Sequence, residues 1–194
     1  MRTLAVMPWT LAFILLLPIT VHAQDWRDEA GYLYLADRLD RPQDGYCIDV
    51  AGSGNWVDFT MPLNVHNCKR PGFYADEAVT FSSPGAIRFP AYRGCVTAVG
   101  LNGRTLPGAP LMIKHCADEV DIAQYPFVRA SLQDFTHRTD GRIELTGTGL
   151  CFEVGADSDS TFSEDHRWRT LNLNTCEDIP ESRSVWLEFE QETE

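Results

Sequence analysis

Six cysteines stand at positions 47, 68, 95, 116, 151 and 176, and a thiol can attack a substrate, ligate a metal or close a disulfide. No Cys-x-x-Cys pair and no paired His-Cys ligand spacing occurs, so zinc ranks behind disulfides for an even number of cysteines. With all six paired, no thiol is left as a nucleophile. The histidines beyond the N-terminal segment, His66, His115, His137 and His166, lie near no Gly-x-Ser-x-Gly elbow and in no His-Glu-x-x-His helix. The acidic stretch Asp157-Ser158-Asp159, followed by Glu164-Asp165, lacks the central Gly and closing Glu of an EF-hand and reads as a solvated insertion. These residues predict a protein that is not an enzyme and that carries no cofactor and no metal.

The cysteines become informative once they are taken as odd and even members of a repeat. The odd members open strand-like runs, Cys47-Ile48-Asp49-Val50, Cys95-Val96-Thr97-Ala98 and Cys151-Phe152-Glu153-Val154, after turn glycines Gly45, Gly94 and Gly149. The even members close runs in which an aliphatic residue stands five and three positions earlier: Leu63 and Val65 before Cys68, Leu111 and Ile113 before Cys116, Leu171 and Leu173 before Cys176. That alternation marks a strand with one buried face. The separations are 21, 21 and 25 residues, and of the 15 pairings that six cysteines allow the repeat selects Cys47 with Cys68, Cys95 with Cys116, and Cys151 with Cys176. Each closed loop should stabilise the fold by about 3 kcal/mol.

Further strands are predicted over Tyr32 to Ala36, Ala86 to Phe89 and Arg142 to Leu145, and over Ala78 to Phe81, Tyr125 to Val128 and Ser184 to Phe189. Four short strands in each of three units, with no long amphipathic helix, describe a closed all-β architecture. At the N-terminus, Arg2, the apolar run Leu11 to Ile19 and the small residues of Val21-His22-Ala23 have the form of a signal peptide over residues 1–23. The apolar run is too short to span a bilayer, which takes about 20 residues. The remaining 24–194 suits one domain, secreted or periplasmic, where disulfides persist. A formal charge of -12 disfavours phosphate backbones and anionic lipid, so neither nucleic acid nor membrane insertion is expected.

A glycine turn, Cys-aliphatic-acid-Val, an alternating run into a second Cys, and a closing aromatic strand together resemble the ricin B-chain-type β-trefoil lectins, the family 13 carbohydrate-binding modules. The resemblance covers about Gly31 to Phe189. It implies a β-trefoil of three four-stranded repeats, about 30–83, 84–134 and 135–190, each with one internal disulfide. The family's Gln-x-Trp signature survives as Ser184-Val185-Trp186 in the third repeat, as a shifted echo in Gln124 and Phe127 in the second, and as Glu77-Ala78-Val79 in the first. That Trp is a core residue in the family, so Trp186 should be buried.

Sugar-binding members use an Asp two residues after the odd Cys, an aromatic two residues before the even Cys, and amides ahead of the last strand. A carboxylate accepts neighbouring hydroxyls, a flat ring covers the C–H face of the sugar, and amides fix its orientation. The first repeat matches best, with Asp49, His66, Asn64 on the same strand face, Trp56 in the hairpin, and Asp76 and Glu77 where the amides would stand. The second repeat has Thr97 and Lys114 and should hold no such site. The third keeps Glu153 and Asn174 as a weaker one. The resemblance thus implies a lectin-like module that binds a glycan or glycoprotein through its first repeat. The alternative is a protein-binding trefoil, such as a protease inhibitor or a toxin's receptor-binding subunit, with a partner protein held by the hairpins Gly52 to Thr60 and Gly155 to Trp168. Joint exposure of Trp56, Phe59, Phe162 and Trp168 would favour the alternative.

Overall fold

The computed structural model describes residues 25–69 and 74–189; the expected signal peptide lies outside them. Thirteen strands run through the described residues: β1 (Gly31–Leu35), β2 (Tyr46–Asp49), β3 (Asn64–Asn67), β4 (Ala78–Phe81), β5 (Ile87–Phe89), β6 (Gly94–Ala98), β7 (Ala109–Lys114), β8 (Phe135–His137), β9 (Ile143–Leu145), β10 (Leu150–Val154), β11 (Asp159–Ser160), β12 (Arg167–Thr175) and β13 (Trp186–Phe189). The only helices among these residues are single turns of 3-10 type. None is long and apolar enough to cross a membrane.

Three antiparallel hairpins of like construction dominate. β2 pairs with β3, β6 with β7 and β10 with β12, and the bridges Cys47–Cys68, Cys95–Cys116 and Cys151–Cys176 all form as the repeat predicts. In each hairpin the odd cysteine faces the residue two before the even one: Cys47 faces His66, Cys95 faces Lys114, and Cys151 faces Asn174. Gly45 and Gly149 enter their strands with φ of 67° and 71°, the left-handed region that glycine adopts without strain. Gly94 is needed for another reason, since a Cβ there would meet Ile113 Cγ2 at 2.3 Å.

The strand order β3-β2-β1-β4-β5-β6-β7-β12 is closed by pairing of β12 with β3, which makes a barrel. Inward residues of every hairpin fill it: Ile48 and Val65, Val96 and Leu111, Phe152 and Leu173. Phe152 packs edge-on between Phe135 and Trp186, with ring centroids 5.2 and 5.9 Å away. Trp186 is fully buried, as expected.

Two expectations need correcting. No strand forms over residues 125–128; that segment is turns, and the strand that follows β7 is β8. The counterpart of the Gln-x-Trp signature is accordingly Gln133-Asp134-Phe135, not Gln124 with Phe127. Gln133 and Phe135 are buried, whereas Gln124 and Phe127 are exposed. The 18 residues between Cys116 and Phe135 loop outward, and the aromatic pattern at Tyr125 and Phe127 carried no information about which of its rings would be enclosed.

Candidate functional site

β12 is nine residues long, and its two halves have different partners. Its C-terminal half completes the third hairpin, while Trp168, Arg169 and Thr170 pair with His66, Val65 and Asn64 of β3. Residues opposite one another on antiparallel strands share a face. Cys47, His66 and Trp168 therefore form one row across β2, β3 and β12, and Asp49, Asn64 and Thr170 form the next. Apart from the enclosed Cys47, these residues floor a groove of about 1150 Å³. Trp56, from the turn after β2, and Phe162, from the tip ahead of β12, rise on its rim with 87% and 96% of their surface exposed.

An ion pair between buried Arg169 and exposed Asp40 fastens the third hairpin to the first. Arg169 lies against the Tyr46 ring and its Nη2 reaches Asp40 Oδ1 at 2.7 Å, while Nη1 donates to the carbonyls of Gly155 and Ala156. Asp40 also accepts from Tyr46 Oη and Ser158 Oγ at 2.7 and 2.6 Å. These donors outweigh burial and hold the Asp40 carboxyl well below the usual range. The network ties β12 and the loop before it to the first repeat.

At one end of the groove lies a cluster of charge. Lys69 Nζ contacts Asp49 Oδ2 at 2.9 Å, Asp76 Oδ2 at 2.5 Å and Glu77 Oε1 at 3.6 Å, and the Lys69 backbone N–H donates to Glu77 Oε2 at 3.0 Å. Burial pushes the Asp49 carboxyl well above the usual carboxylate range, against the attraction of Lys69. Burial likewise raises Glu77 to about 7. Lys69 also suffers burial, but the charges of Asp49 and Glu77 outweigh it and hold the ammonium firmly protonated. Burial and then the Lys69 charge lower His66 to about 4, so its ring is neutral at pH 7.

Of the residues the sequence nominated in the first repeat, the groove brings together Asp49, Trp56, Asn64, His66 and Asp76. Glu77 is fully enclosed behind them and does not line it. His66 is 8% exposed, and its ring lies 5.7 Å from that of His166. In the third hairpin Glu153 is held by Asn174 Nδ2 and by Arg183 Nη2, the latter at 3.0 Å. In the second, Gln133 Nε2 donates to Thr97 Oγ1 and to the His115 carbonyl, both at 2.8 Å, and its Oε1 accepts from Ala117 N at 2.8 Å.

Solved structures share this architecture. An agglutinin from Abrus precatorius superposes with a TM-score of 0.56 at 22% identity, over 84% of this chain and 48% of that one. The fold is of the ricin B lectin type. The mdaA-1 domain, known from a solution structure, superposes with a TM-score of 0.55 at 14% identity, over 84% of this chain and 91% of that domain. This chain spans about half the length of the agglutinin chain. No family model matches the sequence, and no curated protein matches it significantly.

Sequence reasoning missed Lys69, Trp168 as a floor residue, and Arg183. Lys69 directly follows Cys68, a position to which no motif assigned a role. Trp168 was foreseen only as a loop aromatic, yet the signal was present: the third pair of cysteines is four residues further apart than the others, 25 against 21. The extra length lets β12 overshoot its own hairpin and reach β3.

Proposed function

We propose that the protein is an exported, non-catalytic carbohydrate-recognition module, a β-trefoil whose ligand groove lies between its first and third repeats. On this reading residues 1–23 are removed on export. The four-strand units are β1 to β4, β5 to β8, and β9 to β13 with β11 as an insertion, which carries the second repeat to His137. The observation that supports the function best is the groove itself, in which exposed Trp56 and Phe162 stand over a polar floor that includes Asn64 and Thr170. A sugar ring presents an apolar C–H face and a hydroxyl edge, and this arrangement offers a surface to each. Asp49, only 3% exposed and bonded to Lys69, acts by orienting its neighbours more than by touching the ligand. Among the charged groove-lining residues, Asp49 and Asp76 share the single Lys69 while Asp44 is paired with Arg41, and the acidic excess favours neutral or amino sugars over carboxylated or sulfated ones.

A glycan array of the mature protein beside a Trp56→Ala/Phe162→Ala variant tests this. Both rings are exposed, so the variant should melt like the parent. Neutral-sugar binding that disappears in the variant is the expected result. Binding unchanged by the double substitution would move the site out of the groove. A second reading, recognition of a partner protein through the loop tips, draws on the same exposure of Trp56 and Phe162. Phe59 supports it less, since it packs on Tyr92 at 5.3 Å, and Trp168 is only partly exposed. A folded protein that binds no glycan would favour that second reading.

A further inference from the structure

Beneath the groove, Asp49, His66 and Glu77 each offer one ligand atom, and these atoms lie within 4.8 Å of one another. All three residues are more than nine-tenths buried. Two carboxylate oxygens there, Asp49 Oδ1 and Glu77 Oε1, have no hydrogen-bond partner among the described residues. Orphaned buried oxygens of this kind are costly unless something answers them. Lys69 answers only in part: its ammonium bonds Asp49 Oδ2 and Asp76 Oδ2 and stays 3.6 Å from Glu77 Oε1. Three carboxyl groups thus share one ammonium.

His66 is set up as a ligand by its own neighbour. The Asn67 carbonyl, 3.1 Å from Nδ1, can only accept a hydrogen bond, so Nδ1 carries the proton and Nε2 the lone pair. Ring donation to a backbone carbonyl is the usual way a metal-bound imidazole is oriented.

We propose that Asp49, His66 and Glu77 form a divalent cation site beneath the groove, of the mixed imidazole and carboxylate class that suits Zn2+ better than Ca2+. Metal bonds of about 2.1 Å require the three ligand atoms to draw together by about an ångström. Lys69, whose side chain is 21% exposed, keeps Asp76 and gives up Asp49 as the cation enters. The site does not depend on the groove binding sugar, and no sequence motif marks it, because its ligands are spread over 28 positions.

The test is calorimetric titration of Zn2+ alone into chelator-stripped mature protein at pH 7, with Co2+ absorption as a second readout of tetrahedral coordination. One equivalent should bind, and Glu77→Gln, with its disulfides and melting transition intact, should weaken binding by at least about 100-fold. If Glu77→Gln does not fold, His66→Gln reads the same ligand set. Absence of Zn2+ binding to the parent, or binding equal in the parent and the folded variant, would overturn the site. Ca2+ that bound as tightly as Zn2+ would overturn the assignment of His66 as a ligand. No sugar enters the experiment, so its failure would leave the glycan groove standing.

Discussion

At the mouth of the second hairpin a single amide meets every demand around it: Gln133 donates to Thr97 Oγ1 and the His115 carbonyl and accepts from Ala117 N. At the same place in the first hairpin Glu77 accepts from Lys69 N in the same way, yet it has no N–H to give, and Asp49 stands where Thr97 does. The scaffold therefore needs only a neutral amide and a hydroxyl at these positions. The first repeat instead gathers Asp49, Asp76, Glu77 and Lys69, and leaves two oxygens unanswered. The hairpin framework itself therefore does not require the charge that the first repeat carries.

The most damaging way to break that comparison is Lys69→Met. It leaves three buried carboxyls with no counter-ion, and removing one partner of such a network costs about 3–5 kcal/mol. Urea melts at pH 7 in chelator should show the loss, and a cost below about 1 kcal/mol would mean the ammonium is not the partner that the geometry indicates. Gln133→Glu carries the first repeat's defect into the second. Thr97 Oγ1 and the His115 carbonyl lose their donor, at a cost of about 2–4 kcal/mol for two unanswered groups. A variant as stable as the parent would show that the amide's donors are dispensable.

Much of this comparison could be read before any coordinates. The cysteine pairing and the hairpins follow from a repeat that local alternation makes visible, because inward residues recur every second position, and the burial of Trp186 follows from the family resemblance. Asp49 and His66 were found by position, and the register places Asp49 opposite Asn64 on the groove side of the sheet. Other features depend on long-range placement and leave no periodic trace. Lys69 becomes part of the cluster only because Asp49, 20 positions away, is buried beside it. Gln133 was passed over for Gln124 because the loop after Cys116 has no period to mark where it re-enters the core. Trp168 joins the floor by pairing with a strand 102 positions earlier.

Glu77→Gln sharpens the comparison by making the first repeat like the second. The new amide can donate to Asp49 Oδ1, and a buried like charge disappears. Stability at pH 7 should rise by about 1 kcal/mol, the usual worth of one satisfied buried hydrogen bond. A fall of similar size would show that Asp49 is already satisfied in a way the geometry does not display.

The last comparison is in the pH dependence, where His66 opposes the two raised carboxyls, Asp49 and Glu77. His66, lowered from 6.5 to about 4, binds a proton more readily when unfolded, so its contribution to stability grows as pH rises from about 4 to 6.5. Glu77, raised from 4.5 to about 7, holds a proton in the folded state that the unfolded chain releases, so its contribution is lost as pH rises from about 4.5 to 7. Asp49, raised in the same way as Glu77, adds a second falling contribution, so the cluster as a whole should lose stability as pH rises through this window. Glu77→Gln removes the falling contribution of Glu77 and leaves those of Asp49 and His66 in place, so the stability of the variant minus that of the parent should increase steadily across this window. Urea melts at three pH values in chelator measure that difference directly. A difference that stayed constant would mean Glu77 titrates in the folded protein as it does in the unfolded chain, and its burial would have no electrostatic consequence.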